Sequence, residues 1–293
     1  MGSRGVFEHP HQGVHQLRGR GTTPKRIIRY LGLAFLDLDR NRGSVERFFG
    51  EHAHDYSKSR SHAQGSDLKA LLRALKPRRP EVALDVATGT GFTALALADL
   101  VGHVTGIDMT DEMLNQANRL ALQRGRTNVR FELGNAMEIG YPDSSFDIVT
   151  TRRATHHFED VPRFLREAKR VLRPGGRLGV VDMSPPVGAE AFSNRIEILR
   201  DSSHVRAFTP VAWKSMVSEA GFRVVSSEVL GEAVTFETWL YPVEPGGREE
   251  ATILKAWSSA TPKVRRLLEA RSQKGSVVGW TKFRIILVAS KTP

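Results

Sequence analysis

The sequence predicts an α/β protein: a Rossmann-like, seven-stranded, mostly parallel sheet with helices on both faces. An N-terminal helical extension precedes it, and a C-terminal helical insertion comes before the last strand. Three observations predict this. Short apolar runs alternate with helical stretches between Val82 and Met183, the rhythm of a covered parallel sheet. The first run leads straight into a Gly-rich turn, "LDVATGTGF" at 84–92, the strand, turn and helix start that cradle a nucleotide-like cofactor. The second run ends in an acidic residue, Asp108.

Taken in order, residues 1–24 show little periodicity and read as weakly ordered. "KRIIRYLGLAFLDL" (25–38) reads as a short packing helix, with a membrane-surface helix as the alternative. Residues 44–60 and 66–76 read as helices, closed by "PRRP". "VALDVA" is the first strand and "TALALADL" its helix. "HVTGIDM" is the second strand, and the helix 111–125 ends at Gly125. Strands follow within 128–136 and 145–154, then the helix 160–172 with Asp160 as its cap. "PGG" (174–176) reads as a tight turn before a fifth strand, 177–183. Residues 184–208 are a connection with part helix, and Thr209-Pro210 starts a helix that Gly221 ends. Strands at 222–230 and 281–290 enclose a helical region, 247–272, expected to fold over an opening.

Composition limits the chemistry. The 293 residues suit one large domain with appendages. The absence of cysteine excludes disulfides, thiol catalysis and thiolate metal sites. No apolar run nears the roughly 18 residues of a membrane span. With no ordinary secretory signal, the expected location is cytoplasmic. The net charge of +11 is uneven: residues 1–79 hold 16 Lys and Arg against 7 Asp and Glu, and the remainder 27 against 25. A near-neutral body argues against a broad nucleic-acid footprint. The basic front is compatible with peripheral membrane contact, and a homodimer is compatible with the chain.

Residues 89–94 formally match G-x-G-x-x-A. Glycine lets the main chain approach a ligand closely. A carboxylate at Asp108 can accept from both ribose hydroxyls of an adenosine, which fits NAD and S-adenosylmethionine alike. At this point the sequence resembles the class I S-adenosylmethionine-dependent methyltransferases, in particular the ubiquinone/menaquinone biosynthesis methyltransferase-like small-molecule group. The resemblance covers about residues 45–230 and rests on "LDVATGTGF", "GIDMT", "GNAMEIGYPDSSFDIV" and "EAKRVLRPGGRLGVVDM" in that order. It implies S-adenosyl-L-methionine as cofactor. It implies cofactor contacts at Asp85, Ala87, Thr88, Gly89, Gly91, Asp108, Met109, Asn135, Ala136 and Thr151. Asp85 can bind turn amides or the cofactor's ammonium, Met109 can pack on adenine, and Asn135 stands where the family commonly has Asp. It also implies a division: a basic extension at 1–43 and a methyltransferase domain at 44–293. Within that domain lie a helical cap (44–80), a cofactor-binding core (81–183) and substrate-side segments (184–208 and 231–280).

Catalysis of methyl transfer can be mostly positioning, so no fixed triad is expected. His156 and His157 follow the fourth strand, at the carboxyl edge where such sheets bind ligands. Either can orient or deprotonate an acceptor hydroxyl or acidic carbon. Tyr56 is the third candidate, from a segment that covers the site in related enzymes. Arg200 and Asp201 are expected to hold the cap together, and Phe192, Phe208, Phe236 and Trp239 to be lining or core. No metal is expected, because adjacent histidines alone do not define a site. The quinone enzymes carry an Arg-Asn pair where His156-His157-Phe158 stands here, so other aromatic, terpenoid or polyketide-like acceptors fit as well. The expected reaction is C- or O-methylation of a small apolar or aromatic molecule by in-line displacement. An RNA or protein methyltransferase and a non-catalytic cofactor-binding partner are the alternatives.

Overall fold

The computed structural model describes residues 65–292 and, ahead of them, residues 43, 49, 50, 52–54, 57 and 63. The expectations for residues 1–42 and for Tyr56 lie outside the described residues.

The chain alternates as its periodicity predicts: α1 (Ser66–Leu75), β1 (Val82–Val86), α2 (Phe92–Ala98), β2 (His103–Asp108), α3 (Asp111–Gln123), β3 (Val129–Leu133), β4 (Phe146–Arg152), α4 (Val161–Val171) and β5 (Leu172–Met183). There follow α5 (Glu190–Arg200), α6 (Pro210–Glu219), β6 (Phe222–Thr235), α7 (Phe236–Leu240), α8 (Arg248–Ser258), α9 (Pro262–Leu267), β7 (Arg271–Gln273) and β8 (Ser276–Lys291). The sheet runs β3-β2-β1-β4-β5-β8-β6, with β7 paired to β8. The first five strands pair in parallel, and β8 runs antiparallel to β5 and β6. Eight strands replace the expected seven, because β7 adds three residues.

Two apolar layers cover the sheet. On one face Phe164, Leu165, Ala168 and Val171 of α4 join Trp213 and Val217 of α6. On the other, Leu71 and Leu75 of α1 and Ala94 and Leu97 of α2 pack on Ala83, Ile148 and Val288. Each fully buried Leu contributes about 1.5–3 kcal/mol. A third cluster, with Trp239, Trp257 and Trp280, forms the core of the C-terminal cap.

Two sequence expectations are corrected. Pro174–Gly176 is not a turn ahead of β5 but an excursion inside it: Phe146 pairs with Leu172, and Ile148 already with Arg177. The helical region 247–272 is two helices and a strand, because Thr261 caps a new helix at Pro262, where proline's missing N–H costs nothing.

Candidate active site

The Gly-rich turn is held by residues that face inward. Gly91 has φ +82° and opens α2, and a Cβ there would meet Phe131 at 2.7 Å. Gly89 has φ +53° with open space where a Cβ would project. Ala87 also has positive φ, and the Thr88 amide bonds to the Ile107 carbonyl at 3.0 Å. Asp85 is buried under the turn and accepts from the Thr88 and Thr150 hydroxyls, both at 2.7 Å. Burial, opposed by those hydroxyls, pushes its carboxyl up to about 6.

Asp108 accepts from the Gly89 amide at 2.8 Å and from the Thr110 amide at 3.1 Å. This ties the end of β2 to the turn beside it. Burial pushes its pKa up. Met109 is half-buried beside it. Asn135 accepts from the Met137 amide at 2.9 Å, so it shapes its own turn, and Ala136 is buried next to it. Thr151, at the end of β4, has a buried hydroxyl with no hydrogen-bond partner among the described residues.

Beyond β4, Thr155–His157 form one turn of 3-10 helix. His156 Nδ1 lies 2.6 Å from Asp182 Oδ1, at the end of β5. Asp182 also accepts from the His156 amide at 2.9 Å, from the Met183 amide at 2.6 Å and from the Thr155 hydroxyl. Burial raises the Asp182 pKa, but His156 and these donors overcome it and hold the carboxyl at about 2. An ionised carboxylate only accepts, so His156 Nδ1 carries a hydrogen and Nε2 is the basic position.

His157 sits 4.0 Å from His156 between ring centroids, and His204 sits 5.5 Å away. His157 Nδ1 donates to the Ser203 carbonyl at 3.0 Å. Burial and the neighbouring His156 bring its pKa down to about 3. His204 Nε2 donates to Asn194 Oδ1 at 2.8 Å, and the same two causes bring it down to about 4. His157 and His204 are therefore held in the neutral form. Phe49 meets His157 edge-on at 5.0 Å. No group of three or more metal-ligating side chains occurs among the described residues.

Sequence reasoning placed His156 and His157 correctly at the strand end but missed Asp182. The signal was available: like Asp108, Asp182 ends an apolar strand at the carboxyl edge. Arg200 bonds Glu197 at 2.9 Å, donates to the Tyr241 carbonyl at 3.0 Å and lies over the Trp239 ring, which ties α5 to the cap. Asp201 accepts from Ser203. Phe192, Phe236 and Trp239 belong to the cap core, and Phe208 packs against the sheet core.

Comparison with known proteins gives one family model, "Methyltransferase domain", over residues 84–180. The chain is 35% identical over 194 residues to the uncharacterized methyltransferase YcgJ of Bacillus subtilis, covering 66% of this chain and 77% of that one. The crystal structure of YcgJ superposes with a TM-score of 0.72 at 31% identity, over 78% of this chain and 98% of that one. The ubiquinone/menaquinone biosynthesis C-methyltransferase UbiE of Methylobacterium nodulans is 32% identical over 232 residues, 69% of this chain and 92% of its own. The 27-O-demethylrifamycin SV methyltransferase of Amycolatopsis mediterranei is 32% identical over 232 residues, 74% of this chain and 82% of its own.

Proposed function

The chain belongs to the S-adenosylmethionine-dependent methyltransferases, and on that premise we propose that it methylates oxygen or acidic carbon of a small, apolar or aromatic acceptor, with His156 as the base. The residues fit the cofactor: the space at Gly89, the Asp108 carboxylate beside it and the Thr151 hydroxyl, unpaired among the described residues, suit a polar adenosine ligand. Gly89, Gly91, Asp108, Met109, Asn135, Ala136 and Thr151 would line it, and Asp85 with Thr88 and Ala87 would hold the turn that does so. The cofactor supplies an electrophilic methyl group on a positive sulfur.

The observation that carries the reading is the His156–Asp182 pair at the carboxyl edge of β4 and β5. Asp182 fixes the ring and its tautomer and stabilises the imidazolium formed when Nε2 takes the acceptor's proton. His157, kept neutral by burial and by His156, orients rather than deprotonates. Two relatives bear on the acceptor by name: one is a C-methyltransferase of ubiquinone/menaquinone biosynthesis, the other a 27-O-demethylrifamycin SV methyltransferase.

The test has two parts. Titration with S-adenosylhomocysteine should give micromolar binding, and a labelled-methyl screen of quinols, phenols and polyketides should identify an acceptor. With that acceptor, Asp182→Asn should lower kcat by about 10²–10⁴-fold, the range of a general base, with cofactor affinity unchanged. No cofactor binding by folded protein would overturn the methyltransferase reading. Unchanged kcat in Asp182→Asn would overturn the base assignment.

A further inference from the structure

His204 is buried with its ring centroid 5.5 Å from that of His156, yet the base assignment gives it no task. It is anchored by Asn194 of α5, the helix that carries Ile196 into the cap core. The Asn194 side chain has one possible orientation. Its Nδ2 donates to the Glu190 and Ala207 carbonyls at 2.9 and 3.0 Å, and its Oδ1 accepts from the Ala207 amide at 2.6 Å. An oxygen therefore faces His204, and His204 Nε2 carries the hydrogen of the 2.8 Å bond between them. Nδ1 is then the bare nitrogen. Burial and the neighbouring His156 keep the ring neutral, so Nδ1 only accepts.

His156 shows the reverse arrangement. It gives Nδ1–H to Asp182 on the sheet and leaves Nε2 bare, whereas His204 gives Nε2–H to α5 and leaves Nδ1 bare. Each bare nitrogen lies on the side of its ring away from its anchor, and neither is bonded among the described residues. Four buried side-chain polar atoms lack a partner among the described residues: Thr151 Oγ1, Arg177 Nε, Trp213 Nε1 and Trp257 Nε1. Neither histidine nitrogen is one of them, so both open onto space that water enters.

The backbone sets the spacing of the two rings. The His156 carbonyl accepts from the Val205 and Arg206 amides at 2.8 and 3.0 Å, directly after His204. His157 Nδ1 bonds the Ser203 carbonyl at 3.0 Å, directly before it. Asp201 closes the same loop through the Ser203 amide and hydroxyl. These bonds hold the loop without any use of His204 Nδ1.

We propose that His204 selects the acceptor: while His156 takes a proton from one group, His204 Nδ1 accepts a hydrogen bond from a second O–H or N–H of the same molecule, and Asn194 holds the tautomer that does so. This rests on the methyltransferase reading with His156 as base. An acceptor without the second donor would leave Nδ1 desolvated and unpaired, which is how a site built for a hydroxyl rejects an analogue lacking it.

The probes are the catechol and hydroquinone isomers of dihydroxynaphthalene, each compared with the naphthol that lacks one hydroxyl. They are titrated anaerobically into the full chain saturated with S-adenosylhomocysteine, and kcat/KM is measured for any that is methylated. The wild type should prefer at least one diol over its naphthol by about tenfold or more. His204→Gln keeps a donor for Asn194 and removes the accepting nitrogen. It should abolish that preference by weakening the diol, with the affinity for S-adenosylhomocysteine unchanged. Nitrogen NMR of the histidine-labelled wild type needs no variant: the diol should shift the His204 Nδ1 resonance, and the naphthol should not. The proposal would be overturned by a wild type that prefers no diol, by an equal loss for diol and naphthol in His204→Gln, or by an unmoved Nδ1 resonance in the diol complex. Each would leave His204 a structural residue. Failure to bind S-adenosylhomocysteine would overturn the methyltransferase reading instead, with the diol–naphthol comparison then made on binding without it.

Discussion

Asp85 shows how a residue legible in sequence can have a role that is not. Its place before the turn marks it, yet the partners of its two oxygens include threonine hydroxyls, Thr88 in the turn and Thr150 on β4. The second of these partners is 65 residues away, so no local pattern announces it. Because the folded-state pKa of Asp85 is raised to about 6 from 3.8, the folded protein holds the proton more tightly than the unfolded chain. Stability therefore falls as pH rises from about 4 through about 6, by on the order of 3 kcal/mol for two units. Asp85→Asn keeps the shape and removes the buried charge. Its urea midpoint should lose this downward slope relative to wild type, and at pH 8 it should be at least as stable. A variant that keeps the wild-type slope would assign the proton to another group. Gly91 and Asp108 were legible for the opposite reason: a positive φ and a strand-end carboxylate are demands that only certain residue types meet. His156 was legible through its position, whereas Asn194 and Ser203, which hold His204 and His157, come from a helix and a loop that only the tertiary fold brings there.

At the scale of elements, periodicity located every parallel strand, because each is a short apolar or alternating run bounded by turn residues. It failed where local signals are ambiguous. Pro262 stops one helix and starts the next, and Pro174-Gly175-Gly176 reads as punctuation although the pairing with β4 resumes at Arg177. The packing of α1 on β5 depends on a residue that carries no periodic signal. Gly179 lies under that helix, and a Cβ there would meet Leu71 at 2.8 Å and Leu75 at 3.0 Å. Those contacts are ends of flexible side chains, so Gly179→Ala should fold with α1 displaced. Overpacking of this kind costs about 1–3 kcal/mol. The urea midpoint should fall accordingly, and amides of α1 should lose more hydrogen-exchange protection than those of β2. Equal loss across the sheet would show that α1 does not absorb the strain.

At the scale of the molecule, the chain is a sheet with its own two cores and a cap with a third. The cap is tied to the sheet by the extended β6 and β8 and by Glu197. That carboxylate accepts from Lys282 on β8, from Arg200 on its own helix and from the Trp239 indole at 3.0 Å. Three of the four tryptophans, Trp239, Trp257 and Trp280, lie in the cap core, and Trp213 lies in the sheet core. Tryptophan emission therefore follows the cap, and cofactor binding at the β1–β2 edge follows the sheet. Glu197→Gln removes one charge and leaves two buried cations facing each other, a change that costs about 3–5 kcal/mol when a buried pair is broken. The destabilisation should fall on the cap: emission should shift at a lower temperature than in wild type, while S-adenosylhomocysteine binding and far-UV circular dichroism of the sheet persist above that midpoint. The two cores are contiguous through β8, so the alternative is a single cooperative unit. Coincident loss of emission, ellipticity and cofactor binding in Glu197→Gln would show that the cap does not open apart from the sheet.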